Sequence, residues 1–369
     1  MMLKRMILGV VIVVPTALFL AIFVAYWMSD NSCPDSIAAP TNPMKAIIYC
    51  EYGTAGILRY ADIEKPSPGE HEILVKVHAA GLNPYDWHFM RGTPYIMRLE
   101  SGLRKPRFTQ LGVDFAGTVE AVGSNVTRFK PGDGVFGGRS GSLAEYLIVH
   151  EDRAVALKPA EVTFEQAASI GIAAITALQG LRDRGRLQEG QSVLINGASG
   201  GVGTFAVQIA NGLGAHVTGV SSTRNQELVR SIGADEVIDY TQADFTQGTQ
   251  RYDLVLDNVG NYPLLDVRRV LKPKGRYILI GGGGPDAGDW IGPLAGPIKA
   301  LVLSWFVSQE LGSMMAELNQ EDLNTIGDLI QSGKVIPVID RRYSLSEVPD
   351  AIRYMETGRA RGKVIITLE

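Results

Sequence analysis

Three textures of apolar and polar positions succeed one another along the chain. From Met6 to Met28, MILGVVIVVPTALFLAIFVAYWM, no charge interrupts the run, and a helix of that length crosses a hydrocarbon layer of about 30 Å. Tyr26 and Trp27 stand at its far end, where interfacial aromatics belong. Pro15 is tolerable inside a membrane helix, and no small-x-small cleavage site follows. An uncleaved single-pass anchor is therefore expected over residues 1–30. Lys4 and Arg5 precede the span and Asp30 and Asp35 follow it, which points the N-terminus inward. That placement conflicts with the cofactor chemistry below, and the side of the globular part stays open.

A proline-spaced linker over residues 31–43 leads into the second texture. MKAIIY, HEILVKVHAAGL, GVDFAGTVEAVGS, FKPGDGVFG and GSLAEYLIV are short alternating or apolar runs punctuated by glycine and proline, so residues 44–165 are expected to form a β-rich domain. Near Phe164 the period changes again. FEQAASIGIAAITALQGL has helical spacing, and strand-like and helix-like runs then alternate from QSVLING to GRYILIGGGG. Such alternation predicts a doubly wound parallel sheet over residues 166–305. The tail, 306–369, returns to the first domain with helices around Gln320–Ser332 and Leu345–Thr357 and a last strand, GKVIITL. The expected fold class is α/β, with no internal repeat.

Composition narrows the function classes. With 369 residues and 46% hydrophobic positions the chain can bury two cores. A net charge of −4, without a basic cluster, disfavours nucleic acid. Cys33 and Cys50 are too few for a disulfide framework or a four-thiolate zinc lobe, and no two of the five histidines are spaced i, i+4. No metal site is expected.

The turn INGASGGVG lies between a predicted strand and a predicted helix. In that context Gly197, Ser199, Gly200, Gly201, Val202 and Gly203 are read as a dinucleotide cradle: glycines let the backbone approach a pyrophosphate, and the helix start offers N–H groups to it. NAD sites place a carboxylate about 20 residues later to bond the ribose hydroxyls. Here the second strand ends in Ser221, Ser222, Thr223 and Arg224, with no carboxylate from Thr204 to Asn225. Hydroxyls and a guanidinium suit a 2′-phosphate, so NADP(H) is the expected cofactor.

GQSVLINGASGGVGTFAVQIA, together with HAAGLNPYDW, LGVDFAGTVEAVG and GSLAEYLIV, resembles the medium-chain dehydrogenase/reductase superfamily, in its zinc-free quinone oxidoreductase and zeta-crystallin branch. The resemblance runs from about Met44 to the C-terminus and includes reticulon-interacting and chloroplast-envelope relatives. It implies a GroES-like catalytic domain interrupted by a Rossmann domain, with the active site between them. Zinc-dependent members have a Cys where this chain has Asn83, and a His–Glu pair where it has Val113–Asp114, so the resemblance implies no catalytic zinc. It also places Asn83 near the nicotinamide, with its amide available to the substrate carbonyl. Asp86 would help position that group, and His88 or Tyr85 would relay a proton. Thr176, Tyr240, Asn258, Gly281 and Gly282 are further expected cofactor contacts.

The expected reaction is hydride transfer from NADPH to a quinone or an α,β-unsaturated carbonyl. A lipophilic acceptor suits the anchor and the apolar segment Gly288–Gln309, which reads as a core or dimer-interface segment, a lid or a bilayer patch. A homodimer is among the partners considered. The alternatives are a metal-free NADP-dependent alcohol dehydrogenase and a non-catalytic nucleotide-binding membrane or interaction protein.

Overall fold

The computed structural model describes residues 39–282 and 307–368, together with positions 23, 24, 26, 33, 296, 300, 303 and 304. Among the described residues no helix is long and apolar enough to cross a membrane. The membrane-spanning anchor expected from Met6–Met28 is corrected on that finding, although most of that stretch lies outside the described residues. Most of Gly288–Gln309 lies outside them too. Cys33 and Cys50 form one disulfide with Cα atoms 5.6 Å apart, tying the linker to the segment just after the first strand.

In chain order the strands are β1 (Pro43–Ile48), β2 (Arg59–Glu64), β3 (Glu72–Gly81), β4 (Asp114–Val122), β5 (Gly134–Gly138), β6 (Tyr146–His150) and β7 (Val155–Leu157). There follow β8 (Ser192–Asn196), β9 (His216–Ser221), β10 (Glu236–Asp239), β11 (Tyr252–Asp257), β12 (Leu271–Leu279), β13 (Glu310–Ser313), β14 (Ile339–Ser344) and β15 (Lys363–Thr367). β1 and β2 form a hairpin-like pair. A seven-stranded sheet runs β14-β15-β3-β4-β5-β7 with β6 also on β3, and a six-stranded sheet runs β10-β9-β8-β11-β12-β13.

Every pairing in the six-stranded sheet is parallel. Its order reverses between β8 and β11, and ligands of such sheets bind in the crevice at that switch point. β13 pairs with β12 inside this sheet, so the return to the β-rich domain comes after Ser313 rather than at residue 306. The long apolar pattern starting at Phe164 is two helices, Phe164–Ala168 and Gly171–Gln179, broken near Ser169. Thr163 and Gln166 cap the first one reciprocally.

The two domains share one core. Ala79, Ala116, Phe136 and Ile365 from the seven-stranded sheet join Ile195 and Leu254 of the parallel sheet, and Phe205 of the helix Gly201–Gly212, through the buried helix Gly171–Gln179. Burying that face contributes roughly 25 cal/mol per Å² of apolar surface removed from water, which holds the walls of the crevice in fixed relation.

Candidate functional site

At the end of β8 the chain enters the glycine turn. Gly197 has φ +74°, a left-handed conformation that disfavours a side chain. Gly200 is extended and precedes the helix Gly201–Gly212, whose start has no side-chain cap; its first N–H groups are therefore available to an anion. A Cβ on Gly203 would lie 2.1 Å from Gly197 O, so helix and turn touch backbone to backbone. Ser199 is held at both ends, its Oγ accepting from Asn225 Nδ2 at 2.9 Å and its carbonyl from Gly362 N at 2.9 Å. Val202 packs against the shared core.

At the adenosine end, Ser221 is buried, Ser222 is half-buried and Thr223 and Arg224 are exposed. Arg224 Nη2 donates to Arg359 O at 2.7 Å, leaving the rest of its five-donor fork uncommitted by that bond. Tyr240 is 52% exposed, and its backbone N–H donates to Ser221 O at 3.1 Å. One feature of this corner is not local in sequence. The parallel register of β9 and β10 sets Asp239 opposite Ser221, where its carboxylate accepts from Thr223 Oγ1 at 2.5 Å, Gln226 Nε2 at 3.0 Å and both Thr241 N and Oγ1. The Thr223 bond leads the effects that hold this carboxyl down at about 2. Its lone pairs are occupied, so Asp239 organises the corner instead of bonding a ribose.

At the switch point, Asn196 Nδ2 donates to Asp257 Oδ1 at 2.8 Å, and Asn258 Nδ2 donates to Asn196 O at 3.0 Å. Asn258 Oδ1 is buried and has no hydrogen-bond partner among the described residues. Such an orphan acceptor is costly unless a ligand satisfies it. A Cβ on Gly281 would meet Asn258 O at 2.1 Å, so only glycine fits there; Gly282 follows directly. Thr176, on the helix Gly171–Gln179, is buried with its Oγ1 donating to Ile172 O at 2.6 Å.

The opposite wall comes from the β-rich domain. Pro84 and Asp86 start the helix Pro84–Arg91, with Asn83 as its N-cap residue. Asp86 is fully buried and accepts from Asn83 N at 2.7 Å and from Gly112 N at 3.1 Å. It is a brace between two loops. Asn83 is 3% exposed and its amide is fully engaged: Nδ2 donates to Asp114 Oδ2 at 2.9 Å and Gly81 O at 3.2 Å, while Oδ1 accepts from Lys363 Nζ at 2.6 Å. An amide with both N–H groups engaged cannot also donate to a developing oxyanion. The role expected for Asn83 from the resemblance is thereby corrected from direct contact to scaffold.

His88 stacks on Trp87 with centroids 3.7 Å apart, and its Nδ1 lies 2.7 Å from Thr93 O. A carbonyl only accepts, so Nδ1 carries the proton and Nε2 presents the lone pair. Burial lowers the pKa of His88. Tyr85 stacks on Phe89 at 4.1 Å, and burial pushes its phenol up to about 12. Tyr85, Phe89, Phe108 and Tyr49 wall an apolar recess that reaches Asp86 and Gly112. A larger recess of about 380 Å³ lies by Gln179, Arg182 and Asp322. There Arg182 is paired with Asp183 and Asp322, and the recess is lined by none of the residues above.

Asp114 and Lys363 carry the greatest consequence among residues that the motifs did not single out as functional. Both are enclosed, at 0% and 2% exposure, and they form an ion pair of 3.0 Å. The family's zinc ligands would stand at Asn83 and Val113–Asp114. What stands there is an amide, a valine and a carboxylate neutralised by an ammonium, and no group of three His, Cys, Asp or Glu suited to a metal occurs among the described residues. This donor set does not fit zinc, and a lysine ammonium in its midst would repel a dication.

Burial raises the Asp86 carboxyl to about 7, with the Asn83 N–H pulling the other way. Between about pH 4 and pH 7 the folded state holds a proton that the unfolded state has released, so stability falls as pH rises through that window. The thermal midpoint measured from pH 4 to 8 is expected to show this slope in the native protein and to lose it in Asp86→Asn. Equal slopes in the two proteins would contradict the assignment.

Residues 69–159 match the alcohol dehydrogenase GroES-like domain, and residues 232–366 match the zinc-binding dehydrogenase family. The chain is 36% identical over 346 residues to a 2-methylene-furan-3-one reductase of Solanum lycopersicum, covering 90% of this chain and 80% of that protein. It is 34% identical over 339 residues to the chloroplastic NADPH-dependent alkenal/one oxidoreductase of Arabidopsis thaliana, covering 88% and 79%. The solved quinone oxidoreductase of Coxiella burnetii superimposes with a TM-score of 0.79 at 30% identity, over 89% of this chain and 100% of that one.

Proposed function

The chain belongs to the medium-chain dehydrogenase/reductase superfamily, among its quinone oxidoreductase-like members, and from that premise we propose that it is a zinc-independent reductase of quinones or α,β-unsaturated carbonyls. It is an NADPH-dependent oxidoreductase. The observation that carries the zinc-free reading is the Lys363 ammonium between Asn83 and Asp114, where a zinc site would need anionic or neutral N/S ligands facing a metal. Without a Lewis acid to ionise an alcohol, the cleft is suited to an acceptor that is already electrophilic.

Bound NADPH supplies hydride from its nicotinamide ring. The turn Gly197–Gly203 and the uncapped helix start would hold its pyrophosphate, Ser222, Thr223 and Arg224 its 2′-phosphate, and Asn258 Oδ1 a donor at the nicotinamide end. Tyr85, Phe89 and Phe108 would line the acceptor side as flat apolar surfaces, Tyr85 and Phe108 being open to solvent, and favour a flat apolar substrate. His88, with Nδ1 pinned on Thr93 O, would take a proton from solvent water at Nε2 and pass it to the reduced acceptor, or the Tyr85 hydroxyl would give up its own proton and be reprotonated by water.

NADPH oxidation with a panel of quinones, enals and enones, with and without a chelator, tests the reading. Chelator-insensitive turnover on these acceptors is expected. NADP⁺ reduction by simple alcohols, or turnover that needs added zinc, would sink it, as would binding of NADPH without turnover on any acceptor. Arg224→Ala is expected to raise the NADPH KM about tenfold or more with little change for NADH, as loss of a charge-assisted bond of roughly 1.5–3 kcal/mol implies. An equal change for both cofactors would remove Arg224 from the 2′-phosphate site.

A further inference from the structure

A lysine is almost never fully enclosed unless it is paired. Lys363 is enclosed, and its partners lie far away in the sequence: Asn83 Oδ1 at 2.6 Å and Asp114 Oδ2 at 3.0 Å. Its own N–H donates to Val338 O at 2.9 Å, while the residue before it, Gly362, meets the cofactor side. Gly362 N donates to Ser199 O at 2.9 Å, Gly362 forms a parallel bridge with Gly200, and a Cβ on Gly201 would come 3.4 Å from Lys363 Cδ. On the far side, Asp114 Oδ1 accepts from Ile172 N at 2.8 Å, at the start of the helix that carries Thr176. A Cβ on Gly171 would fall 1.9 Å from that oxygen, so the helix is seated directly on the carboxylate.

One side chain therefore joins three parts that must keep register during hydride transfer. They are the dinucleotide turn, the Asn83 head of the helix Pro84–Arg91, and the Thr176 helix. A lysine stem held only at its backbone samples many rotamers; held at both ends it acts as a strut. We propose that Lys363 is a positioning residue for the reaction: it spans the cleft floor from the glycine turn to Asn83 and Asp114 and fixes the distance between the nicotinamide and the bound acceptor. Donor and acceptor atoms must come within about 3–3.5 Å, and a misplacement of about 1 Å costs roughly 10²-fold in rate. The role rests on the NADPH-dependent reductase reading.

The test compares the full-length native protein, Lys363→Met, and the double variant Lys363→Met/Asp114→Asn, which removes both charges together. Three quantities are read: the NADPH Kd by fluorescence titration, the single-turnover rate with an enone or quinone that the native protein reduces, and amide hydrogen exchange of residues 199–203 without cofactor. Lys363→Met is expected to slow hydride transfer about 30- to 100-fold with Kd within about threefold, and to speed exchange of 199–203 at least about tenfold. The double variant is expected to recover the apo melting temperature but not the rate. A rate within threefold of native, unchanged exchange, or a rate that returns with the melting temperature would overturn the proposal. A native protein without turnover on any acceptor sinks the reductase reading instead, and the exchange result alone then decides whether Lys363 ties the turn to Asn83.

Discussion

Gly203→Ala is expected to raise the NADPH dissociation constant at least about 100-fold, while Gly212→Ala, later in the same helix, is expected to leave it unchanged. The contrast follows from what each added Cβ meets. At Gly203 it would stand 2.1 Å from Gly197 O and 2.7 Å from the Ala198 Cα and carbonyl carbon, all of them backbone; at Gly212 nothing lies within 4 Å. No rotamer relieves the first clash, so helix and turn have to move apart, carrying the helix N–H groups away from the proposed pyrophosphate position. A loss of about 2.7 kcal/mol corresponds to that hundredfold change. The Gly212 variant removes only backbone freedom and is expected to be neutral or stabilising by up to about 1 kcal/mol. Titration of both variants against NADPH, with circular dichroism to confirm folding, decides it. A Gly203→Ala protein that binds within threefold of native would show that the turn does not hold the cofactor.

The second large effect concerns stability. Asp114→Ala is expected to destabilise the protein by about 3–5 kcal/mol, the cost of leaving a buried charge without its partner. Lys363 would keep only Asn83 Oδ1, and Ile172 N at the helix start would lose its acceptor. Gly171→Ala is expected to act in the same direction, because its Cβ would occupy the place of Asp114 Oδ1. Denaturant unfolding of the apo protein measures both. A loss below about 1 kcal/mol for Asp114→Ala would mean that water replaces the carboxylate and that the pair is not sealed.

The parts of this protein that were legible in sequence are those built from consecutive residues. The glycine turn reads directly because Gly197, Gly200 and Gly203 are required by local sterics between one strand and the helix that follows it. Alternation of strand and helix from QSVLING onward gave the parallel sheet for the same reason, since short connections leave a doubly wound arrangement as the compact solution. Ser221 was legible as the end of the second strand, with Ser222 to Arg224 falling in the turn just beyond it. Asp239, which organises that corner, was not, because it arrives through lateral pairing of β10 on β9. The apolar run Met6–Met28 shows the opposite failure: hydropathy alone suggested an anchor, and hydropathy records what a segment avoids without stating where it resides.

Asn83 marks the boundary between the two kinds of knowledge. Its residue type and its place before Pro84 determined that a zinc-binding thiolate is missing and that a helix starts there. Whether its amide faces a substrate or the protein depended on Asp114, Gly81 and above all Lys363, which lies 280 positions away. Nothing in GKVIITL distinguishes that lysine from a solvated strand-end charge. By itself the sequence determined the order of strands and helices, the glycine turn ahead of the helix Gly201–Gly212 and the absence of thiolate ligands, because each follows from local sterics and residue chemistry. Tertiary structure alone decided that an ammonium closes the floor of the cleft, because a buried charge is specified by partners gathered from distant segments.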